Sequence, residues 1–208
     1  MAKRVEVLVF GESPNDSRAI RALVQLHLPN AVGGVTVRPV KDPPSLTRTA
    51  LPKAREKWVD RVKRAVAAAS GSGTSVRAVL IHQDSDGMDA GPQNEDRIAA
   101  DFAGLLGSID GIPVVPVVAT ESWWFLFPDA VEHLKSVWKG SVPRQPRDVE
   151  KITDPKKELK RITRQANGQH EYKESDSVAI AENVRDLKLA PIGSSGSYER
   201  FVRRVRQI

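Results

Sequence analysis

Residues 79–87 constrain the fold more than any other stretch. The apolar run Val79-Leu80-Ile81 passes through His82 and Gln83 and ends in Asp84-Ser85-Asp86-Gly87. A short apolar run bounded by turn residues reads as a buried strand of a parallel sheet. Open α/β sheets gather their ligand sites at the carboxyl ends of their strands. In an extended chain Asp84 and Asp86 project to the same side. Two carboxylates held side by side repel unless a cation separates them, and oxygen-only ligands suit Mg²⁺ or Mn²⁺. An Asp-rich turn is the competing reading, because Asp and Gly are also common turn formers.

The segments on either side alternate strand and helix. Val5-Glu6-Val7-Leu8-Val9-Phe10 predicts a first strand, with Gly11 ending it and Glu12 at its mouth. Asn15 or Asp16 is placed to cap the helix that follows, whose apolar positions are Ile20, Leu23, Val24 and Leu28. Val35 to Val40 predicts a short strand, with Pro39 marking either an edge position or the strand's end. Residues 41–52 read as a loop. Pro52 to about Ala69 reads as a helix with Trp58, Val62, Ala65, Val66 and Ala69 on one face. A further helix is expected from about Glu95 to Ser108, with Ile98, Phe102 and Leu105 inward. Ile112 to Ala119, with Pro113 and Pro116, is expected as an edge or irregular strand. Alternation of this kind implies right-handed βαβ units and a mostly parallel, doubly wound sheet over residues 1–134. Neither G-x-G-x-x-G nor G-x-x-x-x-G-K-[ST] occurs, so the dinucleotide and P-loop readings find no support.

After that strand come Thr120, expected as a helix cap, and Glu121, a fourth acid at a strand end. In Trp123-Trp124-Phe125-Leu126-Phe127, most of the aromatics are expected in the core, with one tryptophan partly exposed. Residues 135–208 read as a basic, mostly helical extension: a Pro-rich, charged loop over 139–155 that is expected to be mobile, then helices near 156–162, 175–184 and 198–207. Charge divides with this boundary. Residues 1–134 hold 15 Lys and Arg against 16 Asp and Glu, whereas residues 135–208 hold 17 against 10. A basic flank beside acids suits a polyanion, although a solvated surface would look the same. Without cysteine there are no disulfides or thiolate zinc sites. No apolar run approaches a membrane span, and the start of the chain does not read as a signal peptide, so a cytoplasmic protein is expected.

Glu12-Ser13-Pro14-Asn15-Asp16 after one strand and Asp84-Ser85-Asp86 after another resemble the paired acidic motifs of the TOPRIM fold. Ser13 stands where that family usually has Gly. The segment Glu121-Ser122-Trp123 through Pro128-Asp129-Ala130-Val131 is similar to one in a small TOPRIM-like family related to OLD-type and RloB-like nucleases, with Phe127 in place of its usual Asp. Asp154-Pro155-Lys156-Lys157, Tyr172-Lys173 and the terminal helix around Phe201 extend the likeness to about residues 5–206.

The resemblance implies a TOPRIM-like core and a metal-dependent nuclease acting on DNA or RNA, in phage defence or a mobile element. Asp84 and Asp86 would hold Mg²⁺ or Mn²⁺, Glu12 would share the metal or move a proton, and Glu121 would be a further ligand. Lys173 would meet the scissile group. Lys156, Lys157, Lys160 and Arg161 would meet flanking phosphates. The alternative is a non-cleaving metal- or nucleic-acid-binding module working with an ATPase partner of ABC or AAA type. The oligomeric state is left open, a dimer included.

Overall fold

In a computed structural model of the protein, residues 4–29, 34–40, 52–85, 91–104, 106–107, 109–164 and 170–208 are described, with no side-chain description at 52–55, 57–58 and 91–92. The second acid of the D-x-D pair, Asp86, lies outside the described residues, as do the expected loop at 41–51, Leu105 and the side chain of Trp58.

The first half is a βαβ alternation: β1 (Arg4–Phe10), α1 (Pro14–His27), β2 (Val35–Pro39), α2 (Pro52–Gly71), β3 (Thr74–His82), α3 (Gly91–Phe102) and β4 (Asp110–Val114). The four strands form one sheet in the order β2-β1-β3-β4, and every pairing is parallel. The proline-bearing strands β2 and β4 are its two edges, where a missing N–H leaves no ladder bond unmade. β4 is shorter than the run Ile112 to Ala119 suggests. Beyond Val114 the chain continues without strand pairing, although the amides of Gln83 and Ser85 still reach the carbonyls of Val114 and Pro116. α3 starts four residues earlier than Glu95 and stops at Phe102. Gly104 and Gly107 follow in the left-handed region, at φ 73° and 63°, which a helix cannot use.

Strand alternation sorts the core into two layers. Leu8, Phe10, Val79 and Ile81 face α2 and α3. Val7, Val9, Ala78 and Leu80 face α1 and the second half of the chain. That half supplies α4 (Glu121–Trp124), α5 (Pro128–Leu134), α6 (Pro155–Thr163), α7 (Asp176–Asp186) and α8 (Gly196–Val205). Its buried residues Trp138, Val149, Leu159, Tyr172, Ile180 and Phe201 belong to the same cluster as Val7 and Ile20. Burial of this apolar surface, at roughly 25 cal/mol per Å², is what attaches the C-terminal helices to the sheet.

Two expectations are corrected here. Both Trp123 and Trp124 are fully buried, because α4 is one turn held between other elements. Trp123 Nε1 donates to Ser197 Oγ (3.1 Å) on α8, and Trp124 Nε1 donates to Ser177 Oγ (3.0 Å) on α7. The segment 139–155 is also tied down. Val142 and Val149 are buried, and Asp148 bridges Ser194 through the Val149 amide and Ser194 carbonyl.

Candidate functional site

The strand order places a switch point between β1 and β3. The chain leaves β1 toward β2 on one side and leaves β3 toward β4 on the other. A crevice opens at the carboxyl ends of strands where the direction of winding reverses. Glu12 follows β1 and Asp84 follows β3, so the sheet topology brings these two acids to one mouth.

The β1–α1 junction is built tightly. A Cβ on Gly11 would stand 2.5 Å from the Ser17 nitrogen and 2.9 Å from the Asp16 Cβ, so only glycine lets α1 start this close to the strand. The cap of α1 is Ser13, not Asn15 or Asp16. Ser13 Oγ accepts from the Asp16 amide (3.2 Å), and Asp16 Oδ2 accepts from the Ser13 amide (2.9 Å), which completes a capping box. Ser13 therefore has a structural use at this turn.

At the β3 exit, three donors converge on one oxygen of Asp84. Its Oδ1 accepts from the Thr120 amide (3.0 Å) and the Thr120 hydroxyl (3.4 Å), and lies 3.1 Å from His82 Nε2. His82 is fully buried, and its Nε2 also meets Thr120 Oγ1 at 2.7 Å. Among the described residues every hydrogen bond to this carboxylate ends on Oδ1, which leaves Oδ2 for the mouth. Thr120 is thus a clamp on Asp84 and makes no side-chain cap to α4.

The electrostatics are those of crowded carboxylates. Burial pushes Glu12 up to about 7; the charges of Asp84 and Asp16 add to this, and His82 opposes it. Burial pushes Glu121 up to about 7 as well, against the pull of Lys156 and with further push from Asp84 and Asp16. For His82, burial works downward. The hydrogen bond to Asp84 and the charges of Asp84, Asp16 and Glu12 outweigh it and raise the imidazole to about 9. Its Nδ1 is buried with no hydrogen-bond partner among the described residues. The charge of Asp84 acts on both glutamates and on the imidazole.

Glu121 also links the mouth to the C-terminal half. It is 4% exposed, and its Oε1 accepts from the Tyr172 hydroxyl at 3.2 Å. Tyr172 meets Ser177 Oγ at 2.5 Å, beside the Trp124 bond to the same hydroxyl. Lys156 Nζ stands 3.9 Å from Glu121 and 3.4 Å from Glu174. The other proposed cations are spread further. Lys157 and Lys160 are exposed on α6, and Arg161 is paired with both oxygens of Glu158 at 2.7 Å. Lys173 is exposed, and its amide donates to Asp176 Oδ2 (2.9 Å). Sequence reasoning gave no role to His82, although a buried histidine two residues before an acid was the available signal. The roles of Thr120 and Ser13 depend on distances that no spacing reveals.

Among the described residues, no three His, Asp or Glu side chains form a cluster closed enough to hold a metal ion. The donor set still fits a hard cation: the acids offer oxygen only, and burial, with the charges of Asp84 and Asp16 adding to it, makes two of them hard to ionise. Comparison with protein-family models, curated proteins and solved structures finds no match to this chain.

Proposed function

We propose that this protein is a metal-dependent nuclease of TOPRIM type that hydrolyses phosphodiester bonds in DNA or RNA. The observation that carries the reading is the placement of Glu12 and Asp84 at the β1/β3 switch point, where Glu12 and Glu121 are pushed up to about 7 by burial and by Asp84. His82 offsets Asp84 and Lys156 offsets Glu121 only in part, because both glutamates stay raised, and a divalent cation would favour their ionised form. Asp84 and Glu12 would hold Mg²⁺ or Mn²⁺ together with Asp86, the next acid in the chain, and Glu121 would reach the ion through water. The ion would polarise the phosphodiester and lower the pKa of a bound water.

The chain's own residues prepare that chemistry. Thr120 and His82 fix Asp84 by Oδ1, so its free oxygen does not have to be ordered when a ligand arrives. Glu12, pushed up to about 7, can hold or release a proton near neutral pH. Lys156 partly offsets the charge of Glu121 and can do the same for an incoming phosphate. Lys157, Lys160 and Arg161 extend positive charge along α6.

The test is cleavage of supercoiled plasmid, single-stranded DNA and RNA with Mg²⁺, Mn²⁺ or EDTA, with Asp84→Asn as the control. Cutting that needs the metal and disappears in the variant supports the proposal. Intact substrates with every metal would contradict it and favour a binding module that works with an ATPase.

A further inference from the structure

Among the described residues, two of the arginine- and lysine-rich faces outside the acidic mouth differ in kind. One is α8. Its Arg200 and Arg204 are paired with the buried Glu95 at 3.0 and 2.8 Å, and Arg204 also donates to the Pro113 carbonyl (3.1 Å) on the edge strand β4. These two arginines hold the fold together. The other two, Arg203 and Arg206, rim a pocket shared with His27 and Pro191. His27 ends α1, which begins at the mouth and runs for fourteen residues. At 1.5 Å per residue that pocket lies about 20 Å from the acids.

The second face is a cleft of about 380 Å³ between residues 147–153 and α6. Four cations line it, Arg147, Lys151, Lys157 and Arg161, against two acids, Asp154 and Glu158. Both acids are already engaged. Asp154 Oδ1 caps α6 through the Lys157 amide (2.9 Å), and Glu158 takes both bonds from Arg161. Arg147 sits with its guanidinium carbon 4.9 Å from the centre of the Phe125 ring, which fixes its plane. Its Nε and Nη2 are buried and make no hydrogen bond among the described residues. Lys157 makes no ion pair among the described residues. Lys156, its neighbour on α6, points instead to Glu121 and Glu174. Lys151 Nζ lies 3.8 Å from Asp148 Oδ2, so among the described residues the cations of the cleft without an ion pair are Lys157 and Arg147, and the first turn of α6 separates them from the acidic mouth.

We propose that this cleft binds phosphates flanking the reactive one in a nucleic-acid strand, and that α8, although richer in arginine, does not. The inference rests on the nuclease reading and names the surface along which the strand leaves the site. A positively charged concavity next to the chemical site positions a polyanion through its backbone and carries no sequence information.

The experiment is fluorescence anisotropy with a fluorescein-labelled single-stranded 20-nucleotide DNA and the matching RNA. It is run in EDTA, so that no cleavage intervenes, over a KCl series. Lys151→Ala/Lys157→Ala is compared with Arg203→Ala/Arg206→Ala, which removes the same charge. Both pairs lie on the surface, and an unchanged melting temperature confirms folding. The cleft pair is expected to lose about tenfold in affinity at 0.1 M KCl. Its salt slope should fall by about 1.4, near 0.7 for each lost contact to a single strand. The α8 pair should bind within twofold of wild type. Equal losses in both pairs, or none in the cleft pair, would overturn this inference while leaving the nuclease reading in place. Absence of binding by the wild-type protein would overturn both.

Discussion

Thr120 is the residue on which the geometry of Asp84 depends. Its amide and hydroxyl both reach Oδ1, and its hydroxyl also engages the buried His82. Thr120→Val keeps the shape and the amide bond but removes the hydroxyl, which leaves Nε2 of His82 without one buried partner. A lost buried hydrogen bond of this kind costs about 1–3 kcal/mol. Urea denaturation should show that loss, and Mn²⁺ should bind more weakly because Asp84 is less well held. Thr120→Ser, which restores the hydroxyl, should recover both. Unaltered stability and metal affinity in Thr120→Val would show that the amide alone positions Asp84. At this scale the sequence revealed the acids, since a carboxylate at a strand end has a one-dimensional signature. It did not reveal their supports. Thr120 lies 36 residues from Asp84, and only the pairing of β3 with β4 brings them together.

The contact between α1 and α8 makes a prediction for elements. His27, in the last turn of α1, meets the Tyr198 hydroxyl at 2.8 Å, and its ring stands edge-on to Tyr198 and Phe201. Burial, with a further push from Arg206, lowers His27 to about 4. A histidine lowered on folding is protonated more readily in the unfolded chain. Its contribution is therefore complete above pH 6.5 and is lost as pH falls from 6.5 toward 4. The full shift would correspond to about 3 kcal/mol, and part exposure of the ring reduces this to about 1–2 kcal/mol. Wild-type protein should lose that much more stability than His27→Gln between pH 7.5 and pH 4.5, read from urea midpoints. Parallel pH profiles for the two would remove His27 from the balance. Element boundaries followed the sequence where periodicity was strong, as in β1, α1 and β3. They departed from it where tertiary contacts decided. Periodicity treats α4 as a helix with one exposed side, whereas serines on α7 and α8 receive its two indoles from opposite directions.

For the whole molecule, the central question is how the C-terminal half is joined to the sheet. One buried cluster runs from Val7 to Ile208, and Glu95 on α3 ties the sheet layer to α8 through two arginines. Glu95 is 4% exposed, so its removal leaves two half-buried guanidinium groups without an anion. Glu95→Ala should cost about 2–4 kcal/mol, below the full range for a buried pair because the arginines retain some water contact. Calorimetry should show a single transition at a lower temperature in the variant. Two separate transitions would mean that residues 135–208 unfold independently of the sheet. The excess positive charge of that half was legible from composition alone, but its use was not. Arg200 and Arg204 serve an internal acid, whereas Lys156 faces Glu121 and Lys157 faces the neighbouring cleft.

The central claim is that the acids at the β1/β3 switch point hold a divalent cation. Titration of Mn²⁺ into the protein, followed by loss of the free-ion electron paramagnetic resonance signal, tests it without reference to any substrate. The account predicts saturable binding at pH 7.5, competed by Mg²⁺ and lost in Asp84→Asn, whose amide keeps the Oδ1 acceptor for Thr120 while removing the charge. Binding that is absent in the wild type, or unchanged in Asp84→Asn, would contradict it.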